Sequence, residues 1–221
     1  VEIARVSVEI LGRPELGRID KNRHPGLVGD FERSTNQRQM PFVQRTPPRI
    51  EVQGHRGARA LRPENTLAAF RYALALGVDT LELDLQVTAD DVLVVAHDAH
   101  IPAKRCLSRG GKRLSGKTPA IRQLRAKALA GYDCGSLVSP RFPRQKLVPK
   151  ARIPRFEEVL TLVRRTHARG QKVGLNVETK IVPGRPKLTP TPERFAALVV
   201  KALRRHKLLR HTTLQSFDYR T

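Results

Sequence analysis

Apolar and polar residues alternate strictly through TLELDLQV at 80–87, with Leu81, Leu83 and Leu85 on one face and Glu82, Asp84 and Gln86 on the other. That is the period of a β-strand. DVLVVAHD follows as a second strand. The linker between them is too short for a parallel crossover, which needs a dozen or more residues, so the pair is read as a hairpin turning at Asp90 and Asp91. Upstream, VQGHR makes a short strand. Asn65 or Thr66 then caps a helix whose apolar positions Leu67, Phe70, Ala73 and Leu74 share a face, and Gly77 ends it. Residues 154–169 carry apolar side chains at 156, 159, 160 and 163, a helical spacing that Gly170 stops. KVGLNVETK is a strand, Thr191 and Pro192 start a helix running to about His206, and TTLQSF is a further strand.

Strands alternating with helices predict an α/β fold, a barrel or a doubly wound sheet. Residues 1–49 show no sustained period beyond VSVEIL and predict a poorly ordered extension ahead of one domain at 50–221. Within that domain, 99–152 contains Gly-Gly, several prolines and only a short helical stretch near 120–130, and reads as an insertion after the third strand. The strands at 52–56, 80–86, 92–97, 172–179 and 212–217 number five, whereas a closed barrel has eight, so the expectation is a barrel cut short at its C-terminus.

Glu82 and Asp84 project from one face of their strand, where two carboxylates repel each other unless a cation or protons neutralise them. With Asp90 and Asp91 as the centre of a two-residue turn, His97 falls directly across from Asp84. In NVETK, Asn176, Glu178 and Lys180 share a face, which brings a third carboxylate and an ammonium to the same barrel mouth. Three carboxylates with water completing the shell suit Mg²⁺ or Ca²⁺ better than Zn²⁺.

Charge adds a second theme. The chain carries 42 Lys and Arg against 20 Asp and Glu, for a formal charge of +22, and residues 99–152 hold fourteen of the bases against Asp133 alone. Such an excess raises an anionic partner. With no Trp and three Tyr, however, a base-stacking surface is poorly supplied, and no specific nucleic-acid binding is expected. No window reaches the length of a membrane span, and no apolar signal core opens the chain. Cys106 and Cys134 are both in the basic segment, where a disulfide in an exported protein and two buried thiols are equally open readings. His100, His167, His206 and His211 belong to no motif and are expected at the surface.

HRG at 55–57, PENT at 63–66, ELD at 82–84, T-x-D at 88–90, VVAHD at 94–98, IPRFEEVL at 153–160, NVETK at 176–180 and QSFD at 215–218 together resemble the glycerophosphodiester phosphodiesterase family over residues 52–218. YDCGS and RFPRQ are similar to that family's own insertion. The resemblance implies a TIM (β/α)8-type barrel that uses a divalent metal to hydrolyse small glycerophosphodiesters to sn-glycerol 3-phosphate and an alcohol. It implies His55 and His97 as general acid and base, Arg56 as the phosphate holder, Glu82, Asp84 and Glu178 as metal ligands, and Lys180 as a base neutralising the phosphoryl oxygens. Glu64 and Asn65 are expected to fix the helix start. Asp91 and Lys150 stand where the family has Gly, so distorted loops are expected at both. The alternatives are a noncatalytic remnant that binds anionic surfaces through its basic segment and a phospholipase D-like enzyme acting on lysolipids.

Overall fold

The structure, a computed structural model, describes residues 50–220 together with the strand Arg5–Val6; the expected N-terminal extension otherwise lies outside the described residues. The five expected strands all form. In chain order the elements are β1 (Arg5–Val6), β2 (Glu51–Gly54), α1 (Leu67–Leu76), β3 (Thr80–Val87), β4 (Leu93–Val95), α2 (Ala126–Leu129), α3 (Phe156–Ala168), β5 (Gly174–Thr179), α4 (Pro192–Arg205) and β6 (Thr212–Ser216). The sheet runs β1-β2-β3-β5-β6 with every pairing parallel, and β4 joins β3 antiparallel. This is the strand–helix alternation of a (β/α)8-type barrel, laid out as an open sheet. At its β6 end Leu214 and Phe217 are exposed.

Local chemistry sets the element ends. The Thr66 hydroxyl accepts from the Ala69 N–H to cap α1, Gly77 closes it in the left-handed region, and the Thr191 hydroxyl accepts from the Arg194 N–H ahead of Pro192 to start α4. Gly57 also has a positive φ, and a Cβ there would lie under 3.0 Å from the α1 backbone, so only glycine fits. On the outer face of the sheet, Leu81, Leu83, Leu85, Leu175 and Val177 pack against Phe70, Phe156, Phe195, Val159 and Val199 of the helices. A second, smaller core joins the insertion to its flanks, with Ile101, Ile121 and Leu129 of the insertion packed with Val94, Ala96 and Ile153 around Cys106. Cys106 and Cys134 are joined as a disulfide. His206 is not at the surface: it is buried, and its Nε2 meets the Glu157 carboxylate between α4 and α3. Among the described residues no helix is long and apolar enough to cross a membrane.

The hairpin forms with a different register from the expected one. Leu85 pairs with Val95, Gln86 with Val94 and Val87 with Leu93, and the Ala96 N–H, not His97, reaches the Asp84 carbonyl. The cause is the turn. Thr88 and Val92 close a loop of three residues in which the Asp91 N–H bonds the Thr88 carbonyl and Asp91 takes the left-handed conformation, a type I turn with a bulge residue. Glycine would enter that conformation freely; here the Asp91 carboxylate is held by Arg122 and Arg194, which offsets the strain.

Lys150 is left-handed as well, with φ at 66°, and its side chain is exposed. Lys150→Gly is therefore expected to raise stability by about 1 kcal/mol, because the steric cost of a left-handed non-glycine residue exceeds the added entropy of an unfolded glycine. Thermal unfolding should show a midpoint roughly 2–4 °C higher; a lower midpoint would mean that the loop is unstrained.

Candidate active site

Register on β3 explains how distant parts of the chain meet. Pairing with the whole of β5 occupies one edge of β3 from Thr80 to Leu85. On the other edge β2 pairs only with Thr80 and Leu81, and β4 only with Leu85 to Val87. The C-terminal ends of β2 and β4 thus run toward each other along that edge and leave the stretch around Glu82–Asp84 between them. His55 follows the last residue of β2, and His97 lies two beyond the last of β4. The site is at the C-terminal ends of the parallel strands, where barrel enzymes place their chemistry.

Asp84 is paired in register with Glu178. The carboxylates of Glu82, Asp84 and Glu178, only 6%, 1% and 5% exposed, each offer an oxygen within 4.8 Å of the others. Hard oxygens gathered this closely could share one cation. Burial, reinforced by the charge of Asp84, pushes Glu82 up to about 8, even though the Arg56 backbone N–H donates to its carboxylate at 2.7 Å. The Asn65 Oδ1 atom is buried and accepts no hydrogen bond. A buried cluster of three carboxylates whose mutual repulsion raises Glu82 has the donor set that could hold a divalent ion.

Two bases face the acids. Arg56 Nε is 3.1 Å from Asp84 Oδ2, its NH1 is 2.8 Å from Glu64 Oε1, and its own backbone is left-handed with φ at 51°. Lys180 Nζ lies 3.2 Å from Asp84 Oδ1 and 2.5 Å from Glu178 Oε1. Beneath them a polar layer fills the inner face, where Asn176 Nδ2 donates to Gln53 and Gln215.

Glu64 and Asn65 do more than fix the helix start, which Thr66 caps. Asn65 Nδ2 donates to Asp84 Oδ2 at 2.8 Å, and Glu64 receives Arg56. Five of the expected residues, Arg56, Glu82, Asp84, Glu178 and Lys180, form one contact cluster, and His55 joins it with Nε2 at 3.8 Å from Glu82 Oε2. His97 does not touch the acids directly. Its Nδ1 is 2.7 Å from Asp98 Oδ1, and it lines a cavity shared with Glu64, Asn65, Asp98 and Arg105. The hydrogen bond from His97, helped by Arg105, holds Asp98 down at about 2. Asp98 was visible in VVAHD; Arg105 and Arg59, whose NH1 is 3.2 Å from His55 Nδ1, had no signal beyond the general basic excess.

The family description that matches this chain is the glycerophosphoryl diester phosphodiesterase family, over residues 55–221, and the chain belongs to that family. It is similar to YhdW of Bacillus subtilis (strain 168), to which glycerophosphodiester phosphodiesterase activity is ascribed, with 31% identity over 167 residues, 76% of this chain and 57% of the relative. A solved protein of Silicibacter pomeroyi DSS-3 ascribed the same activity superposes with a TM-score of 0.70 at 32% identity, covering 76% of this chain and 58% of that one. A phosphodiesterase of Oleispira antarctica, solved in complex with the product sn-glycerol-3-phosphate, shares the fold with a TM-score of 0.58 at 23% identity, covering 77% of this chain and 58% of that one. The chain thus spans somewhat more than half the length of these relatives.

Proposed function

We propose that the site hydrolyses glycerophosphodiesters to sn-glycerol 3-phosphate and an alcohol, with Ca²⁺ or Mg²⁺ held by Glu82, Asp84 and Glu178. The observation that carries this reading is the buried acid triad, faced by Arg56 and Lys180 and approached along one strand edge by the chain segments that bear the two histidines. Phosphodiester cleavage needs a base for the attacking hydroxyl, a donor for the departing alkoxide and positive charge on the nonbridging oxygens. When bound, the cation supplies part of that charge.

The surroundings of the two rings divide the labour. Arg59 donates toward His55 Nδ1, which leaves the proton of a neutral ring on Nε2, the atom turned toward Glu82. His55 therefore turns Nε2–H toward the departing oxygen, where a hydrogen bond from the neutral ring stabilises the developing negative charge. The Asp98 carboxylate takes the proton-bearing side of His97 at Nδ1, leaving the Nε2 lone pair free to accept the proton of the attacking hydroxyl. Arg56 and Lys180, both cationic and both close to the acids, hold the phosphate.

A second reading, hydrolysis of lysolipids, draws on the apolar wall of the cavity beside His97, made by Pro102, Leu137, Val138 and Ile153. Release of glycerol 3-phosphate and choline from glycerophosphocholine, run with Ca²⁺, with Mg²⁺ and with EDTA, tests the first reading, and choline release from lysophosphatidylcholine tests the second. Cation-dependent turnover of glycerophosphocholine that His55→Ala and His97→Ala both abolish is the expected result. Folded protein without turnover on either substrate would leave the basic segment, and the noncatalytic reading, as the part to test for salt-dependent binding to anionic vesicles.

A further inference from the structure

We propose that Arg105, contributed by the insertion, is a positioning residue that sets the orientation of His97 through Asp98. The inference rests on the role given to His97 above. His97 stands past the end of β4, and among the described contacts its ring is held by Asp98. A strand side chain is aimed by its ladder; a side chain beyond the ladder takes its aim from whatever grips it. Asp98 is itself partly exposed and would swing between rotamers without a second hold. Arg105 supplies that hold, with NH2 at 2.5 Å from Asp98 Oδ2, so each oxygen of the carboxylate has its own partner.

Arg105 also reaches the other side of the site. Its Nε lies 3.6 Å from Glu64 Oε1, the same oxygen that Arg56 NH1 contacts, and Arg56 in turn meets Asp84. One guanidinium therefore ties the His97–Asp98 pair to the loop that carries Arg56. Its planar fork allows both contacts at once, which a lysine ammonium reproduces only in part. The backbone beneath it is fixed as well. The Arg105 and Cys106 N–H groups both donate to the Pro102 carbonyl, and Cys106 is bonded to Cys134. The insertion in this way acts on the chemistry without placing a group on the reacting atoms.

The test compares the full chain with Arg105→Met and Arg105→Lys. Arg105 is 38% exposed, so both variants should fold. With glycerophosphocholine, Arg105→Met is expected to lower kcat roughly tenfold while KM stays within about twofold, and Arg105→Lys to recover part of the loss. Long-range ¹H–¹⁵N spectra of the His97 ring, at a pH where it is neutral, give a readout independent of turnover. The wild type should show the proton on Nδ1, and Arg105→Met a mixture of tautomers. An unchanged tautomer in Arg105→Met, or a loss that appears in KM alone, overturns the proposal. A wild-type chain without turnover overturns the proposed function instead, and the ring spectra still decide the part played by Arg105.

Discussion

Glu82→Gln is expected to leave the cation-free protein at neutral pH as stable as the wild type or more so, whereas Asp84→Ala is expected to cost about 3 kcal/mol. The contrast follows from what each carboxylate touches. With Glu82 pushed up to about 8, its side chain already carries a proton near neutrality, and a glutamine is a close imitation that can still accept the Arg56 N–H. It also removes the cost of taking up a proton on folding, which the wild type incurs near neutrality because an ionised Glu82 would be a third negative charge in one buried site. Asp84, 1% exposed, faces Arg56, Asn65 and Lys180 with its two oxygens, and deleting it leaves the buried Asn65 amide without its acceptor and removes one of the two carboxylates that each of Arg56 and Lys180 meets. Relief of its repulsion on Glu82 offsets some of that loss, so we place the cost at the low end of the range for a broken buried pair, a fall in midpoint on the order of 10 °C. Ca²⁺ at a hundredfold excess over its Kd should then stabilise the wild type by about 2.7 kcal/mol and neither variant appreciably. Thermal unfolding in EDTA and in Ca²⁺ measures both halves. A Glu82→Gln protein markedly weaker than the wild type in EDTA would show that Glu82 works as an ionised partner of Arg56.

Much of this site was legible in the residues because strand periodicity is simple. Alternation placed Glu82 and Asp84 on one face, the same rule placed Glu178 and Lys180 together, and parallel pairing of Asp84 with Glu178 joined the two sets. The helix ends were legible for a similar reason, since Thr66, Gly77, Thr191 and Gly170 act on their immediate neighbours. What depended on one residue more or less in a loop was not. The choice between a two-residue and a three-residue turn at Asp90–Asp91 shifts the whole partner strand by a position, and no periodicity distinguishes them. His97 therefore lies beyond Ala96, not across from Asp84.

The residues that grip the chemistry from the side were the least visible. Glu64 and Asn65 sit in a helix-start motif, for which capping is the economical reading, whereas Asn65 donates to Asp84 and Glu64 pairs with Arg56. Arg105 is one of fourteen bases in a segment that reads as uniformly cationic, and only the turn at Pro102 and the Cys106–Cys134 bond single it out. The excess charge itself has structural uses: Arg122 and Arg194 hold the strained Asp91, and Arg59 and Arg141 lie over the Phe142 ring.

Stability in EDTA is expected to fall as pH rises from about 4.5 to about 8. In the native state Glu82 keeps its proton up to about 8, while in the unfolded chain it loses it near its ordinary value of 4.5. Between those limits the native state binds more protons than the unfolded one, so each step up in pH favours unfolding, by at most about 1.4 kcal/mol per unit. The contribution is fully present below 4.5 and gone above 8. Asp98, held at about 2, acts with the opposite sign: its contribution is present above its ordinary value of 3.8 and lost as pH falls toward 2. At 41% exposure its contribution is small, and its window does not overlap that of Glu82. Saturating Ca²⁺ should flatten the fall, because the bound ion favours the ionised carboxylate, and Ca²⁺ binding near neutrality should release a proton measurable in a weakly buffered solution. Glu82→Gln should show neither the fall nor the proton. A wild-type midpoint that stays level from about pH 5 to pH 8 in EDTA would mean that Arg56 and Lys180 alone neutralise all three carboxylates, and the site would then not require a cation for its charge balance.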